Sequence, residues 1–140
     1  MFAGEFEHTV DAKGRLTIPV KFREALAEGL YLIRGLDGCL FAYPPEAWQK
    51  IAEQIASRPL TESNARSFSR MFYSSTECRL DGQGRILIPA HLREYAAIEN
   101  EAVIIGMDSR LEIWGKERWR EFTAKMVEDV FAQQLSGLGI

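Results

Sequence analysis

Asp11-Ala-Lys-Gly-Arg-Leu-Thr-Ile-Pro-Val-Lys-Phe-Arg-Glu24 returns as Asp81-Gly-Gln-Gly-Arg-Ile-Leu-Ile-Pro-Ala-His-Leu-Arg-Glu94. Asp, Gly, Arg, Ile, Pro, Arg and Glu recur in one order at one spacing, the mark of a duplicated structural unit. The correspondence continues after a one-residue slip. Gly35-Leu-Asp-Gly-Cys-Leu40 lies over Gly106-Met-Asp-Ser-Arg-Leu111, Tyr43 over Trp114, Glu46 over Glu117 and Trp48 over Trp119.

Two units therefore run over residues 5–47 and 76–119. Residues 48–75 lie between them as a helical connector, and residues 120–140 follow as a C-terminal helix and tail. The stretch from Ser57 to Ser75, which includes Arg58-Pro59-Leu60-Thr61, has no counterpart elsewhere in the chain.

Each unit reads as strand, strand, helix, strand, strand, an α+β and mainly β composition. Phe6, His8 and Val10 alternate as a strand, Asp11 to Gly14 form a turn with glycine available for positive φ, and Arg15 to Ile18 resume alternation. Pro19 cannot donate to a sheet but suits the first turn of a helix, so a short helix is expected over Val20 to Ala27 with Phe22 and Leu26 on one face. Pro89 repeats the device.

Tyr31 to Arg34 and Cys39 to Tyr43 then form a hairpin, mirrored by Ala102 to Ile105 and Leu111 to Trp114. A helix follows each unit. The first is Pro45 to Ile55; the second is Lys116 to Gln134, with Trp119, Phe122, Met126, Val130 and Phe131 at helical spacing and expected in the core. Four strands and one short helix bury too little apolar surface to fold alone, so the two units must close on each other.

With 46% hydrophobic residues in 140, the chain is globular in composition. Its net charge of -3 leaves no chain-wide positive field, so any contact with a polyanion must come from local basic features. Cys39 and Cys78 are too far apart for a CxxC unit, and His8 and His91 are the only histidines, so no metal site or cofactor is expected and both thiols are read as buried and idle. Met1-Phe2-Ala3-Gly4-Glu5 lacks the order of a secretory leader, and no apolar run approaches the roughly 20 residues that cross a bilayer. A reducing cytoplasm and no membrane partner are the expectation.

For catalysis the repeats offer no nucleophile with its base, no carboxylate pair and no metal cluster, so an enzyme is not expected. What both units share is Asp, three residues including glycine, then Arg: Asp11 with Arg15 and Asp81 with Arg85. With Leu16 and Ile18 turned inward, alternation throws Arg15 and Thr17 outward, and the same parity exposes Arg85. A guanidinium held at the base of a tight turn can meet phosphate oxygens or a guanine edge with little entropy to lose. Lys13 adds a charge at the first tip, where the second copy has neutral Gln83.

The doubled Asp-x-x-x-Arg motif followed by Ile-Pro, together with Phe2-x-Gly4-Glu5 and Phe72-Tyr73-Ser-Ser-Thr, resembles the MraZ family, whose units belong to the SpoVT/AbrB superfamily. The resemblance covers nearly the whole chain. It implies a pseudo-twofold, double-psi-like barrel of two swapped-hairpin units and assembly into a ring of about eight or more subunits. It further implies repression of the division and cell-wall gene cluster from its own promoter, at the nucleoid, with double-stranded promoter DNA as partner.

On this reading Lys13, Arg15, Thr17, Gln83 and Arg85 contact DNA while Asp11 and Asp81 orient the turns. Lys21, Arg23, His91 and Arg93 read as solvated charges on the short helices. Phe2, Phe72, Tyr73, Phe131 and the tail Leu135 to Ile140 are candidates for an interface between copies. Two alternatives stand beside it. One is an AbrB-like antitoxin or protein-interaction module in which DNA binding is secondary; the other is a small barrel enzyme using Asp11, Asp81 or His8 with a metal.

Overall fold

Both copies of the repeated segment fold alike in the computed structural model, which describes residues 1–140: a turn, a three-residue strand and a short helix. In chain order the first copy contributes β1 (Phe2–Thr9), β2 (Arg15–Thr17), α1 (Val20–Arg23), β3 (Leu30–Arg34) and β4 (Leu40–Tyr43). The helices α2 (Pro45–Ala56) and α3 (Ser63–Tyr73) follow. The second copy contributes β5 (Thr76–Cys78), β6 (Arg85–Leu87), α4 (Ala90–Tyr95), β7 (Glu101–Asp108) and β8 (Arg110–Gly115), and the chain ends in α5 (Lys116–Ala124) and α6 (Glu128–Gly137). The fold is mixed α+β, and every strand pairing in it is antiparallel.

The order of the larger sheet is β1-β7-β8-β4-β3-β5. Each unit thus places its first strand against the third strand of the other: β1 runs along β7 from Phe2 opposite Asp108 to Thr9 opposite Glu101, and β5 along β3 from Leu30 opposite Cys78 to Leu32 opposite Thr76. The exchange is unequal in length, eight residues against three. The second strands pair with each other, Leu16 facing Ile86, as a separate two-stranded ribbon. Two matched hydrogen bonds extend it, from Ile18 N to Gly84 O and from Ile88 N to Gly14 O, each 2.9 Å.

The inward face of the ribbon makes one core out of two units. Leu16, Ile18, Ile86 and Ile88 are buried together with Phe22, Leu26 and Leu92. Burying each such side chain is worth about 1.5–3 kcal/mol, and a separated unit would return them to water. On the outer side of the larger sheet, α2 and α3 close a second cluster, in which Trp48 stacks between Tyr31 at 4.4 Å and Phe72 at 4.9 Å.

Four expectations need correction. Helix α1 stops at Arg23 and the chain reaches Gly29 through turns, because Leu26 N and Ala27 N bond to the carbonyls of Arg23 and Glu24, three residues back, and tighten the backbone. Leu26 is buried all the same.

The single helix expected from Lys116 to Gln134 is two, since Lys125 and Met126 make the same three-residue bonds and Val127 is extended. Its stripe is not core either: Trp119 is half-buried against Trp114, but Phe122, Met126, Val130 and Phe131 are exposed. Conversely Phe2 and Phe72, read as interface candidates, are buried within the chain, while Tyr73 is exposed. No helix is long and apolar enough to cross a membrane.

Candidate nucleic-acid interface

The two turns that enter the ribbon are built by their aspartates. Asp11 Oδ1 accepts hydrogen bonds from Lys13 N and Arg15 N, both 2.9 Å, and Asp81 Oδ1 accepts from Gln83 N and Arg85 N at the same length. These are side-chain mimics of a backbone turn. Gly14 and Gly84 supply the left-handed residue, with φ of 90° and 75°. The backbone amide of Arg15 in one turn, and of Arg85 in the other, holds the Asp11 and Asp81 carboxyls below the ordinary value of 3.8, so both stay ionised.

Arg15 and Thr17 point outward as alternation requires, and so do Arg85 and Leu87. Register sets Arg15 opposite Leu87 and Thr17 opposite Arg85, which puts the two arginines at diagonal corners of one small face. They are two residues apart along the ribbon, roughly 7 Å of strand. The face has its own ion pairs: Arg15 Nη1 lies 3.5 Å from Asp11 Oδ2, whereas Arg85 Nε lies 2.9 Å from Asp81 Oδ2 and its Nη1 lies 3.9 Å from Asp11 Oδ2. Both arginine side chains are about one-third exposed, and donors of each fork still face solvent. Lys13 and Gln83 are exposed at the tips.

Two further arginines brace this face, and the solvated reading of them is wrong. Arg23 Nε donates to Ile18 O at 2.9 Å, and its guanidinium lies against Gly84, a turn of the other unit, where a Cβ would collide with it. Arg93 Nε donates to Ile88 O at 3.0 Å and packs on Gly14 in the same way. Each unit thereby clamps the other unit's turn. The signal was present in the sequence, as the arginine recurring eight residues after Arg15 and Arg85.

Lys21 is occupied elsewhere, donating to Ala3 O at 3.1 Å and lying over the Phe6 and Phe22 rings. His91 is exposed on α4.

The remaining reactive groups are far from reactive. Burial pushes the Cys39 thiol up to about 12 and the Cys78 thiol to about 11, and both are free and sequestered. Lys116 ties Glu7 to Glu101 across the β1–β7 pair at 2.5 and 2.6 Å.

The family pattern described as "MraZ protein, putative antitoxin-like" matches the chain twice, over residues 1–70 and 71–137. Among curated proteins, the transcriptional regulator MraZ of Lactiplantibacillus plantarum is 54% identical over 87% of this chain and 87% of its own length. That of Heliobacterium modesticaldum is 51% identical over 89% and 88%, and that of Desulfitobacterium hafniense 48% identical over the full length of both. A doubled turn-and-ribbon body, matched twice by one family pattern and at about half identity along its length, places the chain in the MraZ family, whose members are transcription regulators and not enzymes.

Proposed function

We propose that this chain binds double-stranded promoter DNA through the outer face of the β2–β6 ribbon. Arg15 and Arg85 supply the principal contacts, Lys13, Thr17 and Gln83 the flanking ones, and Asp11 and Asp81 orient the turns. The observation that carries the reading is the placement of two guanidinium groups at diagonal corners of a braced ribbon, in a chain whose net charge is negative. Such preorganised forks lose little entropy on meeting phosphate or a base edge.

One protomer offers few phosphate contacts, so its affinity alone is weak. A homo-oligomeric ring of about eight or more subunits would set several ribbons on repeated promoter boxes and raise avidity by roughly 10² to 10⁴. The apolar residues that α5, α6 and the turn between them leave in solvent, Met126, Val130 and Phe131 among them, support such an assembly. The exchange of first strands between units supports a swapped-hairpin, double-psi-like barrel with units at 5–47 and 76–119, joined by 48–75 and followed by 120–140. In the cell we assign the chain to the cytoplasm and nucleoid, repressing the division and cell-wall gene cluster from its own promoter.

The test is Arg15→Ala. Retardation of the chain's own upstream DNA should be lost while light scattering gives an unchanged assembly size. Normal retardation by that variant would sink the site, and a wild-type chain that captures a protein partner but no DNA would favour the interaction-module reading.

A further inference from the structure

Twelve arginines are spread through this chain, and ten of them have a carboxylate or carbonyl partner within it. Arg15, Arg58, Arg79, Arg85, Arg110 and Arg120 lie against carboxylates. Arg23, Arg66, Arg93 and Arg118 donate to backbone carbonyls. Arg34 and Arg70 alone do neither, and both line the same cleft, about 440 Å³ in volume. Two unpaired guanidinium groups facing one space repel each other unless an anion lies between them.

The cleft is built from three elements. Helix α3 and its C-cap turn Ser67, Arg70, Met71 and Ser74 onto one stripe, at the spacing that aligns residues on a helical face. Opposite it stand Arg34, at the end of β3, and His91, on the exposed side of α4.

Arg34 is preoriented: its guanidinium lies 5.2 Å from the centre of the Tyr95 ring, and Tyr95 is itself fixed by donating to Gly35 O at 2.9 Å. The Ser74 hydroxyl spends its proton on Met71 O at 2.7 Å. The Ser67 hydroxyl makes no hydrogen bond within the chain and can donate into the cleft. No carboxylate lines the space, although acidic residues outnumber basic ones in the chain as a whole. Ile33 and Leu92 give it an apolar floor.

From this arrangement we propose that the cleft binds a small organic phosphate, the phosphate between Arg34 and Arg70 and an apolar body over Ile33, Leu92 and Met71. Two planar forks, an imidazole and a hydroxyl match a multiply charged tetrahedral oxyanion better than a single carboxylate. The volume lies within the range of small-ligand sites, roughly 300–1,000 Å³, and exceeds what a bare phosphate fills. None of the lining residues belongs to β2, β6 or their turns, so the cleft is a site separate from the ribbon. Because α3 lies in the connector between the two units, an occupant would couple the connector to both.

The experiment is calorimetric titration of the full chain with inorganic pyrophosphate, ionic strength being held constant with chloride. Saturable binding is expected, weakened at least tenfold in Arg70→Ala, partly retained in Arg70→Lys and unchanged in Arg15→Ala. Arg34→Ala should behave as Arg70→Ala does, and a thermal melt shows whether loss of the Tyr95 contact has unfolded it; Arg70 makes no such contact, so its variant decides the matter.

Binding that Arg70→Ala leaves intact, that chloride abolishes, or that Arg15→Ala removes would overturn the proposal. Promoter DNA supplies the other source of phosphate. Arg70→Ala should retard that DNA as the wild type does, and loss of retardation to the level of Arg15→Ala would reassign the cleft to the DNA backbone. The titration itself needs no DNA, so its failure and that of the promoter reading are separable.

Discussion

The two turns of the ribbon share a backbone and differ in how tightly their arginine is held. In the first, Arg15 meets Asp11 at 3.5 Å through one terminal nitrogen, and Lys13 stands beside it at the tip. In the second, Arg85 donates its Nε to Asp81 at 2.9 Å, reaches towards Asp11 with Nη1, and has only neutral Gln83 for company. One geometry therefore carries two different electrostatic settings. The first turn offers the freer and more positive surface, while the second is more nearly neutralised from within.

The largest effect should come from setting the two arginines against each other. Arg15→Ala is expected to weaken promoter retardation on the order of 100-fold, since under the proposed function it removes a charge-assisted contact that an oligomer would repeat. Arg85→Ala should cost about tenfold less than that. Equal losses in a side-by-side gel titration would erase the distinction between the turns.

Next come the glycines beneath them. A Cβ at Gly14 would lie 2.9 Å from Ile88 O, a backbone atom that cannot yield, whereas at Gly84 its nearest neighbours all belong to the Arg23 side chain. Gly14→Ala should cost about 2 kcal/mol, or roughly 4–8 °C in melting temperature, and Gly84→Ala about half as much. A larger loss at Gly84 would mean that Arg23, not the backbone, is the rigid part of the clamp.

Charge swaps at the tips are milder. Lys13→Gln should lower the slope of log affinity against log salt by about 1, and Gln83→Lys should raise it by about the same. Slopes indistinguishable from the wild type would show that neither tip approaches a phosphate.

The smallest effect is on pH. Because both aspartate carboxyls are held below their ordinary value in the folded chain, the stability they contribute is complete above about pH 4 and is lost as pH falls through the lowered value. Asp81→Asn keeps an oxygen to accept the turn's amide hydrogen bonds but removes the charge, so denaturant midpoints measured between about pH 5 and pH 3 should fall less steeply in that variant. An unchanged slope would show that the ionised carboxylate is not what holds Arg85.

Much of this architecture was legible from the repeat. Period-two alternation predicted which of Leu16, Ile18, Ile86 and Ile88 would be buried and that Arg15 and Arg85 would lie outward, because a strand's parity is a local property of the chain. Periodicity misled where an apolar stripe had no partner: Met126, Val130 and Phe131 have helical spacing but stay exposed, and only Trp119 and Phe122 at the start of the stripe pack on Trp114. The recurrence of Arg23 and Arg93 marked them in the sequence, but not what they touch. An arginine on a short helix looks solvated until the turn it touches, on the other unit, is brought against it.

By itself, then, the sequence determined that the chain is a duplication, that each copy is a glycine-bearing turn followed by a strand and a proline-led helix, and that an arginine leaves each turn on the outer side. These follow from local sterics and alternation. Tertiary structure alone decided that β1 crosses to β7 and β5 to β3, that the second strands meet as one ribbon, and that two arginines without a carboxylate or carbonyl partner face the same cleft. Those outcomes depend on which surfaces bury each other and on cross-strand hydrogen bonds between residues far apart in the chain, and no local pattern encodes such partners.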